Sequence, residues 1–162
     1  MSSKENLKEA FAGESQAHMK YLAFAKKAKE DGYPGIARLF TATAEAELIH
    51  AHNHLKALNQ IGATAENLST GESGETYEFE TMYPAFVADA QKEGDQTALR
   101  TFKYAEAAEK VHAKLYIQAA AELDQKIEHV YYLCPVCGNI EVDQLPDKCP
   151  ICNVPGSKFI QY

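Results

Sequence analysis

The strongest constraint in this sequence is a repeated tetrad, Glu47-Leu48-Ile49-His50 and Glu109-Lys110-Val111-His112. On a helix, residues three apart share a face, so each tetrad aims a carboxylate and an imidazole at one point. Both tetrads lie on apolar stripes that should face a core. One stripe reads Leu39, Phe40, Thr43, Glu47, His50, Leu58; the other reads Leu99, Phe102, Glu109, His112, Tyr116, Leu123, Ile127. A charged group on such a stripe costs several kcal/mol unless it is paired or metal-bound. Two such pairs in one bundle therefore call for a cation.

A single Glu-x-x-His would be a weak signal, because helices are rich in Glu. The remaining pattern strengthens it. Dinuclear carboxylate bundles use two Glu-x-x-His helices and one inward Glu from each of two further helices. Here the first helix offers Glu14, on the stripe Leu7, Phe11, Glu14, Tyr21, Ala25, Ala28, and the third offers Glu78, one turn before Met82, Ala85 and Phe86. Four carboxylates with two imidazoles make a hard, mixed O/N set, suited to iron or manganese rather than tetrahedral zinc.

The fold class expected is mainly α: a ferritin-like four-helix bundle with one long crossover, followed by a small β-rich metal domain. The first helix should run from near Ser3, as N-cap, to Glu30, where Asp31-Gly32-Tyr33-Pro34-Gly35 breaks it. The second should start at Pro34 and reach about Gln60, with Gly62 as C-cap. Residues 62–76, with Asn67, Ser69, Gly71, Ser73 and Gly74, read as an irregular crossover, and the third helix as starting near Tyr77 and bending at Pro84. Asp95 should cap a fourth helix reaching about Glu128. Each half then carries one lone Glu helix and one Glu-x-x-His helix, a pattern that a duplication would produce. The domain boundary is placed near residue 130, giving 1–129 and 130–162.

A chain of 162 residues can bury a core, and its net charge of −7 argues against nucleic acid or an anionic membrane as partner. The polar start MSSKENLKEA has no apolar signal region, and no apolar run approaches bilayer length. A cytoplasmic protein is expected.

All four cysteines, Cys134, Cys137, Cys149 and Cys152, fall in the last 30 residues as C-x-x-C…C-x-x-C. So short a segment does not hold a fold by burial alone, and this spacing signals a tetrahedral tetrathiolate centre. Pro follows the first Cys of each knuckle, and Gly138 or Asn153 follows the second. Such turns aim backbone N–H groups at sulfur. By spacing alone a structural zinc ribbon fits as well as a mononuclear Fe(Cys)4 centre. The redox-capable bundle favours iron, because it needs an electron entry point.

Together these residues resemble one family closely, the rubrerythrins, in which a ferritin-like di-iron domain precedes a rubredoxin-like domain. The resemblance spans nearly the whole chain. It is carried by Ala10-Phe11-Ala12-Gly13-Glu14-Ser15, Glu47-x-x-His50, Glu78 with Met82-Tyr83-Pro84, Glu109-x-x-His112 and the two cysteine knuckles. It implies a non-haem di-iron centre in which Glu47 and Glu109 bridge, with Glu14 and His50 on one iron and Glu78 and His112 on the other. It also implies reduction of hydrogen peroxide to water, with electrons from a small electron-transfer protein, or an NAD(P)H-linked reductase chain, entering at Fe(Cys)4. One departure stands out. Rubrerythrins usually carry a second Glu three residues after the one matching Glu78, where this chain has Thr81. In the family that Glu and the histidine matching His50 are alternative ligands, so Thr81 implies that His50 stays bound or that water fills the gap.

Tyr21, Tyr104 and Tyr116 fall near the ligand stripes as donors or as packing, and His18 and His54 read as satisfied core or rim residues. Electron transfer wants the sulfur centre near the di-iron site, and within one chain the tail could sit at the wrong end of the bundle. A homodimer or higher homo-oligomer, head to tail or with exchanged helix pairs, would bring the two centres together. Two rival functions are an iron-handling ferroxidase or oxygen-reducing protein, which leaves the cysteine tail unexplained, and a non-enzymatic binding module, which leaves the inward ligands without a purpose.

Overall fold

Helix α1, Ser3–Glu30, is capped one residue earlier than expected: Ser2 is the N-cap, its hydroxyl accepting from the Glu5 N–H at 3.3 Å while the Glu5 carboxylate accepts from the Ser2 N–H. Serine three residues before a glutamate satisfies two orphan donors reciprocally. The computed structural model describes residues 2–162 and contains two compact units, one running to Gly62 and one comprising Ala63–Tyr162. In the first, α1 ends at Asp31, Gly32 takes φ +82°, and Pro34 opens α2, Pro34–Ala57. Glycine reaches that dihedral without a Cβ penalty, and proline at the first helical position forfeits no bond. The two helices approach on small residues, with Ala25, Ala28, Ala44 and Ala51 buried, and on the ring cluster Tyr21, Phe24 and Phe40. His18 Nδ1 lies 2.8 Å from the Ala44 carbonyl, a satisfied histidine as expected. Helix α2 stops short of Gln60, because Asn59 adopts φ +54°. Asparagine is among the few residues that tolerate the left-handed region and so can end a helix.

The second unit corrects the reading of residues 62–76. They are not irregular: α3 spans Thr64–Tyr77. The Glu66 carboxylate caps the Ala63 N–H at 2.7 Å. Gly71, read as loop punctuation, is instead a close-contact residue, since a Cβ there would meet the Tyr116 ring at 3.0 Å. A π-helical turn, Glu78–Met82, follows directly, then α4, Tyr83–Glu93. Pro84 stands in the first turn of α4, where its missing N–H forfeits no bond, and the Tyr83 N–H before it reaches back five residues to the Glu78 carbonyl. Gly94 at φ +75° ends α4, and Asp95 Oδ1 accepts from the Thr97 and Ala98 N–H groups to start α5, Gln96–Glu122. Helix α5 ends six residues before Glu128, passing into a 3-10 turn and Lys126 at φ +50°.

The tail forms a three-stranded antiparallel sheet in the order β2-β1-β3, with β1 Tyr131–Leu133, β2 Ile140–Val142 and β3 Ile160–Gln161. Its core is sulfur: Cys134, Cys137 and Cys149 are buried, with Tyr104 of α5, Ile151, Val154 and Phe159 packed against them. Among the described residues no helix is long and apolar enough to cross a membrane.

Candidate metal centres

Among the described residues three groups of metal-ligating side chains converge, each with its ligand atoms within 4.8 Å of one another. The first is Glu14 of α1 with Glu47 and His50 of α2. Helical spacing does the positioning, and His50 Nδ1 lies 2.9 Å from Glu47 Oε2. Phe24, Leu39, Leu48 and Ile49 of the same unit are exposed.

The second group repeats the arrangement with one change. Glu109 and His112 of α5 converge, Nδ1 to Oε2 at 2.6 Å, but their partner is Glu75 of α3 and not the expected Glu78. Glu75 Oε2 stands 4.0 Å from His112 Nδ1. Burial, then the hydrogen bond and charge of Glu109, push the Glu75 carboxyl up to about 7. Two carboxylates this close cannot both ionise cheaply, and a cation between them removes the conflict. Glu78 lies one turn on, in the π-helical segment, its carboxyl also raised, first by burial and then by Glu75. Glu75 and Glu78 are thus two acids three residues apart, the spacing that had seemed missing at Thr81. Thr81 itself is exposed. Sequence reasoning also passed over Tyr83, whose phenol is raised by burial and by Glu78, Glu109 and Glu75 in that order. The signals were present: Glu75 precedes Glu78 by three, and Tyr83 abuts the proline.

Of the tyrosines singled out, Tyr21 packs on Phe24 and Phe40, Tyr116 packs on Gly71, and Tyr104 lies on the sulfur cluster.

The third group is Cys134, Cys137, Cys149 and Cys152. Cys134 and Cys152 sulfurs are 3.5 Å apart, as are those of Cys137 and Cys149. A tetrahedral ion with bonds of about 2.3 Å spaces its sulfurs roughly 3.8 Å apart, so the set fits one ion. The knuckles repeat each other. Gly138 at φ +81° donates its N–H to the Cys134 carbonyl, and Asn153 at φ +62° donates to that of Cys149. Cys134 and Cys149 donate in turn to the Asn139 and Val154 carbonyls. Backbone hydrogen bonds from Cys137 and Val136 lower the Cys134 thiol despite its burial, whereas burial raises Cys137.

One bond links two groups: His112 Nε2 lies 2.8 Å from the Gly138 carbonyl, the residue after Cys137. The carbonyl accepts a hydrogen bond from Nε2–H, which leaves Nδ1, on the carboxylate side, to offer its lone pair to a metal.

The comparisons agree with this geometry. Residues 5–120 match the family model Rubrerythrin, and residues 132–160 match the rubredoxin-like domain of rubrerythrin. The chain is 43% identical to nigerythrin of Nitratidesulfovibrio vulgaris, over 99% of this chain and 87% of that one. It is 39% identical to rubrerythrin-2 of Clostridium acetobutylicum, over 94% and 92%. Among solved structures, the partially reduced state of nigerythrin matches with a TM-score of 0.62, covering 100% of this chain and 87% of that one. Two Glu-Glu-His trios and four convergent thiols are the donors that a di-iron site and a rubredoxin-like site require, and with family models covering both parts the chain belongs to the rubrerythrin family.

Proposed function

We propose that this oxidoreductase is a non-haem di-iron peroxidase that reduces hydrogen peroxide to water in oxidative stress protection, with electrons relayed through Fe(Cys)4. The observation that carries the reading is the 2.8 Å bond from His112 to the Gly138 carbonyl. It ties a ligand of one centre to the backbone beside a ligand of the other, leaving a short bonded route for single electrons.

Peroxide cleavage takes two electrons and two protons, and two ferrous ions supply one electron each when bound. Glu14, Glu47 and His50 in the first unit, and Glu75, Glu109 and His112 in the second, are the trios that would hold the irons, with Glu78 a further acid beside Glu75. Glu47 and Glu109, the carboxylates of the two Glu-x-x-His helices, would each hold metal beside the histidine of their own tetrad. Tyr83 keeps its proton, because burial and three carboxylates oppose the phenolate, and it stands as a donor beside them. The functional boundary lies near residue 130, with 1–129 carrying peroxide chemistry and 130–162 electron entry. A rubredoxin-type protein or an NAD(P)H-linked reductase would reduce the tail, in the cytoplasm.

An oligomer was expected because the tail could have lain out of reach of the ligands. Within one chain Gly138 meets His112, so the tail reaches the second ligand trio. A homodimer or higher homo-oligomer is proposed on another ground, the exposed Phe24, Leu39, Leu48 and Ile49 of the first unit, and sedimentation tests it.

The deciding experiment is metal content with a visible spectrum of anaerobically prepared protein. Two bundle ions and one cysteine-bound ion give about three irons per chain. Thiolate-to-iron bands should bleach on reduction and return with peroxide. Zinc at the cysteines with no peroxide-dependent recovery would overturn the relay and favour an iron-handling or oxygen-reducing protein.

A further inference from the structure

The cysteine domain meets α5 at a second place, remote from any metal ligand. Glu122, the last residue of α5, lies ten residues beyond His112, or roughly 15 Å along the helix. Its Oε2 is 2.9 Å from His129 Nε2, and the other ring nitrogen, Nδ1, is 2.7 Å from Oδ2 of Asp143, just past β2. Asp143 holds φ +59°, and its Oδ1 accepts the Val130 N–H at 2.9 Å, while its own N–H bonds the Val130 carbonyl. The imidazole is thus clamped between the end of the bundle helix and the sheet. Residues 123–128 between them are exposed.

We propose that His129 is a positioning residue for electron transfer: clasped by Glu122 and Asp143, it fixes the cysteine domain on α5 so that the Gly138 carbonyl stays on His112. This inference rests on the peroxidase reading above. The His112 bond and the packing of Tyr104 hold the knuckle end of the domain on α5, and the clasp, about 15 Å along the helix from His112, fixes its other end.

The clasp is also pH-dependent by construction. Both ring nitrogens face carboxylate oxygens, and a neutral imidazole has only one N–H, so both bonds form only with the imidazolium. The groups around the ring are Glu122 from α5, Asp143 from the turn after β2, the Tyr131 ring of β1 at 6.3 Å, and Lys126 of the linker, which lines the same cavity. Glu122 and then Asp143 raise the imidazole, and His129 lowers Glu122 in return. A raised histidine contributes its clasp fully below the ordinary value of about 6.5 and loses it as pH climbs through the higher, folded value.

The test uses the full chain in two forms. In zinc-substituted protein, the His129 ring proton is followed by NMR against pH. Its midpoint should lie above that of a free histidine and fall in Asp143→Asn, which keeps the turn and the Val130 contact but drops the charge. In the iron protein, reduced and then mixed with peroxide, return of the thiolate-to-iron band should slow several-fold as pH rises through that midpoint. His129→Gln should be slow and pH-independent there, with metal content unchanged. An ordinary midpoint insensitive to Asp143→Asn, or His129→Gln recovering at the wild-type rate with the wild-type pH profile, would overturn the clasp. A wild-type protein that never recovers its colour with peroxide would overturn the peroxidase reading instead, and the zinc-protein titration would still decide whether the clasp exists.

Discussion

Glu75 is the residue on which the reading of the second ligand group turns, and Glu75→Gln tests it in the metal-free protein. Moving a carboxyl from its usual 4.5 to about 7 means that the folded chain holds a proton which the unfolded chain releases. At about 1.4 kcal/mol per unit this is roughly 3 kcal/mol, and because the group is partly solvated, screening brings the expected effect to about 1–2 kcal/mol. The sign follows from the raised value. The metal-free fold is favoured below the usual carboxyl range and loses stability as pH rises from about 4.5 to about 7, where Glu75 ionises against Glu109. Glutamine keeps the shape and a hydrogen bond to Glu109 without the charge. Metal-free Glu75→Gln should therefore unfold about 1–2 kcal/mol later than wild type at pH 8, converge with it near pH 4, and bind iron less tightly at the bundle. Urea unfolding across pH, beside an iron titration, reads both effects. A variant less stable than wild type at pH 8, with unchanged iron affinity, would refute the view of Glu75 as a strained ligand awaiting a cation.

Further outcomes follow from other contacts. Thr81→Glu should leave metal content and peroxide turnover unchanged, because Thr81 is exposed and Glu75 already supplies the second acid; altered iron ligation in the variant would restore the earlier reading. Asp95→Ala removes the acceptor for two N–H groups at the start of α5 and should cost about 1 kcal/mol in thermal unfolding, with spectra unchanged. Gly156→Ala drives a Cβ into the Pro146 backbone carbonyl, beside the segment leading to Cys149. The visible thiolate-to-iron bands should be lost or weakened while bundle metal persists. Cys149→Ser should remove those bands outright and leave the bundle irons in place.

The parts of the site legible in the sequence were those whose spacing rules need only one helix. Glu47 with His50, and Glu109 with His112, obey i,i+3 geometry, and each pair converges in the structure. The cysteine knuckles were legible for a related reason: Gly138 and Asn153 sit where a left-handed residue is needed, and each takes it. Glu75 was not legible, because it lies among residues 62–76, which read as an irregular crossover and fold as α3. Extending the apolar stripe Met82, Ala85, Phe86 backwards assumes an unbroken α-helix, in which Glu78 falls on the same face. Glu75, three residues before Glu78, shares that face one turn earlier, on the helix that the glycines and serines of this segment conceal.

The same segment hid α3. Its glycines and serines lower intrinsic helix propensity, and composition alone reads them as loop. Propensity is a weak prior against packing, and here packing decides: the Tyr116 ring of α5 lies where a side chain at Gly71 would be. A helix carrying glycine at that contact brings α3 close to α5, which is what sets Glu75 against Glu109 and His112. The glycine that weakens the helix and the glutamate that completes the ligand group thus lie four residues apart, one helical turn, for one reason. Gly71→Ala should push the Tyr116 ring aside by a few tenths of an ångström and separate the helices at that turn. Its iron affinity at the bundle should fall although no ligand has changed, and a variant that binds iron as wild type does would show that Glu75 reaches the group without the close approach of α3.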